Sequence, residues 1–361
     1  MSADISSRDR CTGSLLGGAV GDALGAPIEF MSASEIVSRF GPSGISGYVP
    51  VSTGRLGWIT DDTQMTLFTA EGLIRAGVKA KQDGSSPDYV GATADAYLRW
   101  LATQRMLAAQ PAPQNGWLYK TRALHEICAP GRTCIHALQR IAPSASMRAT
   151  NDSKGCGGVM RVAPVGLFGH RVFSGAGAEK AIFELGCDLA RITHGHPTGY
   201  LSAGAFSLLI ASLMAGDGLE ESLGRTLSVL MTYRDHDETS GAIEQAIALA
   251  SNVPGDHVAM TSLGEGWIAE EALALAIYCA LSYPDDFRKA LLLSVNHSGD
   301  SDSTGSITGN ILGALLGTQA IPSEWIEKLE LSDVVRQVGA DLNDLFEWDL
   351  MADDVVSRYP Y

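Results

Sequence analysis

Glycine recurs at one-turn spacing in two stretches of this chain, and that pattern restricts the fold more than any other feature. Gly13, Gly17, Gly21 and Gly25 mark a stretch near the N-terminus; Gly305, Gly309, Gly313 and Gly317 mark one towards the other end. Each glycine costs a helix about 1 kcal/mol relative to alanine. A row of glycines on one helical face makes sense where a neighbour must come very close, a device known from membrane helices. Residues 10–24 read as a helix, and Ile307, Ile311, Leu312 and Leu315 repeat at helical spacing. The pattern predicts two central, closely packed helices, with each other as candidate partners.

The second glycine stretch opens on an acidic cluster. Asp300, Asp302 and Ser303 crowd three oxygen-bearing side chains into a helix mouth, a good N-cap composition. Thr60, Asp61, Asp62 and Thr63 do the same ahead of Met65, Leu67, Phe68, Leu73 and Ile74. Either cluster alone reads equally well as a helix start whose acids suit the dipole. As a pair, two oxygen-rich mouths suit two hard divalent cations, Mg2+, Mn2+ or Ca2+, rather than a soft metal. Spacing in sequence does not bring them together in space. Asp22, within the first glycine-faced helix, reads as a paired core group in preference to a site residue. Glu29 follows the helix end at Ala26-Pro27 and lies between apolar neighbours. It is either buried with a purpose or turned to solvent.

A third informative stretch is NDSKGCGGVMRVAP, residues 151–164. Gly155, Gly157 and Gly158 permit close approach by a ligand, and successive amides there can form an anion-binding nest. A plain glycine-rich turn is the alternative. The spacing fits neither a P-loop nor a dinucleotide fingerprint. His194 and His196 end a helical pattern, where capping or stacking is favoured over metal binding.

Further helical patterns span 60–76, 89–107, 175–192, 198–214, 219–232, 239–250, 268–282 and 284–295. Residues 323–348 are amphipathic, with a break at Leu331. Alternating strand patterns and internal repeats are missing. The fold class expected is therefore all-α, one compact domain over residues 1–361. With 26 basic and 41 acidic residues the formal charge is −15, which argues against a nucleic-acid-binding surface. A small anion held by backbone amides remains compatible with it. Six scattered cysteines without CxxC spacing read as free thiols of a reducing cytoplasm. The first ten residues lack a signal pattern, and no apolar run is read as reaching the ~18 residues a membrane span needs. A cytoplasmic protein without a membrane partner is expected.

Five blocks in this order resemble the ADP-ribosylglycohydrolase family: GAVGDALGAPIEF near the N-terminus, TDDTQMT, SKGCGGVMRVAP, THGHPTGY and GDSDSTGSITGNILGA. The resemblance runs over about residues 10–330. It implies a compact helical fold with a binuclear Mg2+ or Mn2+ centre. Thr60, Asp61 and Asp62 would supply one half of that centre, and Asp300, Asp302 and Ser303 the other; many relatives have Thr where Ser303 stands. Glu29 matches a glutamate near the metals and the distal ribose. Gly155, Cys156, Gly157, Gly158 and Val159 match the loop that cradles the diphosphate, with Cys156 where many relatives have Asn, so that contact there would fall to backbone amides. His194 matches a histidine on the adenosine side. The implied activity is hydrolysis of the bond between C1″ of ADP-ribose and a protein side chain, arginine in preference, with Asp302, Glu29 and Asp61 as candidate catalytic groups. The implied partners are an ADP-ribosylated protein, the product ADP-ribose, and an ADP-ribosylating toxin or transferase as counterpart. Cleavage of another ADP-ribosyl compound, or a binding or toxin-immunity role on the same fold, are the rival expectations.

Overall fold

The computed structural model describes residues 5–51, 54–141, 147–350 and 354–361. The N-terminal reading therefore concerns in part residues 1–4, which lie outside the described residues. Among the described residues the regular structure is 18 α-helices and four short 3-10 turns, and the β pairing is one isolated bridge, Gly155 to Ile268. The all-α expectation holds.

The helices Ser7–Gly25 and Ser301–Leu316 run antiparallel through the centre of the molecule. Gly13 faces Gly313, Gly17 faces Gly309 and Gly21 faces Gly305. A Cβ at Gly13 would stand 2.6 Å from the Gly313 carbonyl oxygen, and one at Gly305 2.6 Å from that of Gly21. Real Cβ atoms cannot sit there, so the seam is backbone against backbone. Ser14 and Asn310 fix its register: Ser14 Oγ donates to the Asn310 carbonyl at 3.0 Å, and Asn310 Nδ2 donates to the Ser14 carbonyl at 2.8 Å. Leu15, Leu16, Val20, Ile307, Ile311 and Leu312 bury the flanks in a continuous apolar core that reaches Tyr359. The expected mutual packing of the two glycine faces is what holds the molecule's middle.

Element bounds differ from the pattern where backbone chemistry intervenes. The helix starting at Asp61 runs on to Asp83, where Gly84 stops it at φ 64°. The Tyr89–Thr103 helix ends earlier than its apolar pattern, with Arg105 in the left-handed region. The break at Leu331 is real: this residue, at φ 58°, separates Ser323–Ile326 from Ser332–Asp344. Of the helices with eight or more residues, three escaped the periodicity reading: Ala33–Phe40, opened by a Ser32–Glu35 capping box, Arg132–Arg140 and Ala163–Val172. The helix Pro197–Ala215 corrects the reading of apolar runs. Its 19 residues, with a mean hydropathy of 1.5, are long and apolar enough to cross a membrane. That window is 89% buried inside the protein, as a core helix would be.

Candidate functional site

The site begins with Asp22, fully buried on the glycine-faced helix. Its carboxylate accepts from the backbone N–H of Thr60 at 3.0 Å and of Thr63 at 3.1 Å, and from the Thr63 hydroxyl. Asp22 thus caps, from another element, the N-terminus of the helix that carries Asp61 and Asp62. Burial holds its carboxyl up at about 6, against the lowering effect of those donors. Thr60 is the N-cap itself, accepting from Asp62 N–H at 3.2 Å. The Asp61 carboxylate accepts from Gly131 N–H at 3.1 Å.

Asp300 caps the other mouth, accepting from Ser303 N–H at 3.2 Å, while Asp302 accepts from the same N–H at 3.0 Å. The seam fixes where this mouth lies, because a Cβ at Gly25 would collide with the Ser301 backbone. Glu29 comes in from the turn that follows the first helix. Carboxylate oxygens of Glu29, Asp300 and Asp302 lie within 4.8 Å of one another. The Asp61–Asp62 mouth is in electrostatic reach of them: Asp300 raises both Asp61 and Asp62, and Asp62 raises Asp302. The two acidic helix starts therefore meet, together with Ser303, whose hydroxyl bears on Asp62.

The charge balance of this cluster is unusual. Asp61, Asp62, Asp300 and Asp302 are buried, and Glu29 is partly so. Among the described residues no Lys or Arg pairs with any of them. Asp62 Oδ2 is buried without a hydrogen-bond partner. Burial, then neighbouring Asp300 and Asp61, pushes Glu29 up to about 8; burial, then Asp22 and Asp300, takes Asp61 to about 7. Asp62 and Asp302 move well above the usual carboxylate range, burial being the main cause. Crowded buried carboxylates with an orphaned oxygen and hydroxyls alongside fit hard divalent cations, which such oxygen sets bind.

The glycine loop lies beside this cluster. The Cys156 thiol donates to Asp300 Oδ2 at 2.8 Å, so the loop meets the cluster through a side chain as well as through its backbone. Several loop amides are used within the protein. Gly155 N–H donates to Ser153 Oγ, Cys156 N–H to the Trp267 carbonyl, and Val159 N–H to the Cys156 carbonyl. His194 is buried beneath the loop: its ring would meet a Cβ on Gly157 at 3.2 Å. Its Nδ1 is 2.8 Å from the Thr193 hydroxyl, and burial with the Arg161 charge holds it neutral, at about 3. His196 caps the next helix through Thr198 N–H, which fits the capping reading of the histidine pair. All six cysteines are free. At the rim Phe30, 76% exposed, stacks on Trp267 with centroids 5.6 Å apart.

Asp22 as organiser and Gly131 as the partner of Asp61 were not legible, because both act across more than 35 residues of sequence. The basic face of Arg132–Arg140 carries a signal, basic side chains four residues apart, that went unread.

Comparison with known proteins bears on the fold and the family. The chain is 27% identical over 344 residues to the ADP-ribosyl-[dinitrogen reductase] glycohydrolase of Rhodospirillum rubrum, covering 92% of this chain and 95% of that protein. It is 23% identical to the ADP-ribosylarginine hydrolase Tri1 of Pseudomonas putida strain GB-1, over 93% of this chain and 78% of the other. A solved structure, described as an ADP-ribosylglycohydrolase-related protein complex, superposes with a TM-score of 0.60 at 23% identity, over 94% of this chain and 98% of that one. The ADP-ribosylglycohydrolase model matches residues 3–354, a span that takes in the glycine seam, both acidic mouths and the glycine loop, and the chain belongs to that family of hydrolases of ADP-ribose linkages.

Proposed function

We propose that this protein releases ADP-ribose from modified protein side chains, arginine first, in a reaction that depends on two Mg2+ or Mn2+ ions. The observation that carries the reading is the gathering of Glu29, Asp300 and Asp302, with Asp61 and Asp62 in electrostatic reach, and no Lys or Arg pairing with them among the described residues. Thr60, Asp61 and Asp62 would hold one side of the cation pair, and Asp300, Asp302 and Ser303 the other. Bound there, divalent cations orient ribose hydroxyls and make water more acidic. The preference for arginine follows the names of two relatives, a dinitrogen reductase glycohydrolase and an ADP-ribosylarginine hydrolase.

The chain's own groups divide the chemistry. Asp302 positions water and takes its proton as the oxygen adds to C1″. Glu29 is the least buried of the five, so it can exchange a proton with solvent and pass it to the departing nitrogen. The C1″–N bond breaks with oxocarbenium character, giving ADP-ribose with a C1″ hydroxyl and an unmodified arginine. Asp61, held by Gly131 N–H, keeps its half of the site in place. The counterpart is an ADP-ribosyltransferase, enzyme or toxin, that installs the group.

The test is release of ADP-ribose from an arginine-ADP-ribosylated protein, with Mg2+ or Mn2+ and then with chelator. Release that stops on chelation is expected. Release unaffected by chelation would remove the cations from the mechanism, and no release despite ADP-ribose binding would remove the arginine linkage.

A further inference from the structure

This acidic protein keeps a basic cavity next to its glycine loop. The cavity holds about 410 Å3 and is lined by Arg132, Thr133, His136, Arg140, Arg148 and Ser153, among others. Arg132, His136 and Arg140 are four residues apart on one face of the helix Arg132–Arg140 and span about 12 Å along it. Among the described residues none of these three is paired with a carboxylate, whereas Arg148 is taken by Asp188 at 3.2 Å. In a chain of formal charge −15, two free guanidinium groups and an imidazole on one cavity wall form a local field that favours an anion. Guanidinium groups match phosphate oxygens in paired hydrogen bonds.

The position of the cavity says which anion. Its helix starts at the site: Gly131, just before Arg132, is the residue whose N–H holds Asp61. Its opposite wall is the approach to the glycine loop: the Thr133 hydroxyl is 3.2 Å from the Ser153 hydroxyl, which accepts from Gly155 N–H at 3.3 Å. That wall is tied down, because Asn151 donates to the Thr193 carbonyl and accepts from Gly195 N–H, on either side of His194. A nucleotide with its distal ribose at the carboxylates and its diphosphate at the glycine loop would lay its adenosine half along this wall. The three basic side chains then lie beyond the diphosphate.

We propose that this cavity binds a phosphate group carried on the adenosine half of the substrate, so that the protein prefers an adenosine-phosphorylated ADP-ribosyl group. The proposal rests on the reading of the site as an ADP-ribose cleft. Arg132 and Arg140 are the principal contacts, and His136 adds a donor between them.

Calorimetric titration of the full chain with ADP-ribose and with ADP-ribose 2′-phosphate, in Mn2+, tests it. The phosphorylated ligand is expected to bind about tenfold tighter, with the margin shrinking as salt rises. In the double variant Arg132→Ala, Arg140→Ala the margin is expected to vanish while ADP-ribose affinity stays within about twofold, since both side chains are exposed and outside the carboxylate cluster. The charge-reversed Arg140→Glu is expected to disfavour the phosphorylated ligand. Equal binding of the two ligands by the unaltered protein, with ADP-ribose still bound, would overturn the phosphate subsite and leave the cleft reading intact. No binding of either ligand would overturn the cleft reading, and this inference with it.

Discussion

The helix Asp61–Asp83 buries carboxylates at two levels and neutralises them in opposite ways. Glu71, fully buried, is met from inside the protein: Arg75 donates to it at 2.8 Å and Arg99 at 3.0 Å. Ten residues earlier, Asp61 and Asp62 share their surroundings with Asp300, Asp302 and Glu29, and among the described residues no Lys or Arg pairs with them. Burial is common to both levels, so burial does not distinguish structure from site. The source of the positive charge does. The Glu71 group draws its positive charge from the protein itself and serves the fold. The acidic mouth is balanced only by protons or by cations from outside, and it is the place where the family's chemistry would occur.

Removing Glu71 should have the largest effect on folding. Glu71→Ala would take away the one carboxylate that the two buried guanidinium groups share, leaving Arg75 only neutral acceptors such as Asn115, and cost about 3–5 kcal/mol. Denaturant unfolding with and without Mn2+ should give the same loss; a loss that Mn2+ abolished would break the contrast between the two levels. Asp302→Asn should do the reverse. Turnover should fall by roughly 10²–10⁴-fold, the usual worth of a proton-transfer group. Stability in chelator should hold or rise, because one of several crowded carboxyls is gone. Undiminished turnover would take Asp302 out of the mechanism.

The open group should also make stability depend on pH. Glu29 is raised from 4.5 to about 8 and Asp61 from 3.8 to about 7, so between those limits the folded chain holds more protons than the unfolded one. Stability then falls as pH rises from about 4 towards 8. In chelator the melting temperature at pH 8 should lie below that at pH 5, and Mn2+ should restore it at pH 8. A melting temperature that rises across this window would contradict the raised carboxyls. The smallest effect expected is that of Ser303→Ala: on the order of tenfold weaker Mn2+ binding, the low end for a supporting group at a metal site, with Glu71-dependent stability untouched. Unchanged affinity would drop Ser303 from the cation set.

Much of this architecture was legible because it is periodic. Glycine every four residues announces close contact, and hydroxyl–carboxylate runs ahead of an apolar repeat announce helix mouths. The short helices Ala33–Phe40 and Arg132–Arg140 were harder, since two turns offer little periodicity. The His194 signal was ambiguous for another reason: its sequence shows a histidine at a helix end, while its role comes from the glycine loop that closes over it.

By itself the sequence determined the helical class, the two glycine faces and the residue types able to hold a hard cation, because these follow from local propensity and side-chain chemistry. Only the tertiary structure decided that Asp22 caps the Thr60 mouth, that Glu71 is answered by Arg75 and Arg99, and that Asp62 is left with an unpartnered oxygen. The relative placing of the two mouths depends on backbones meeting at van der Waals distance along the Gly13–Gly313 to Gly21–Gly305 seam. Electrostatics in a buried site depends on separations of a few ångströms, and chain spacing carries no record of them.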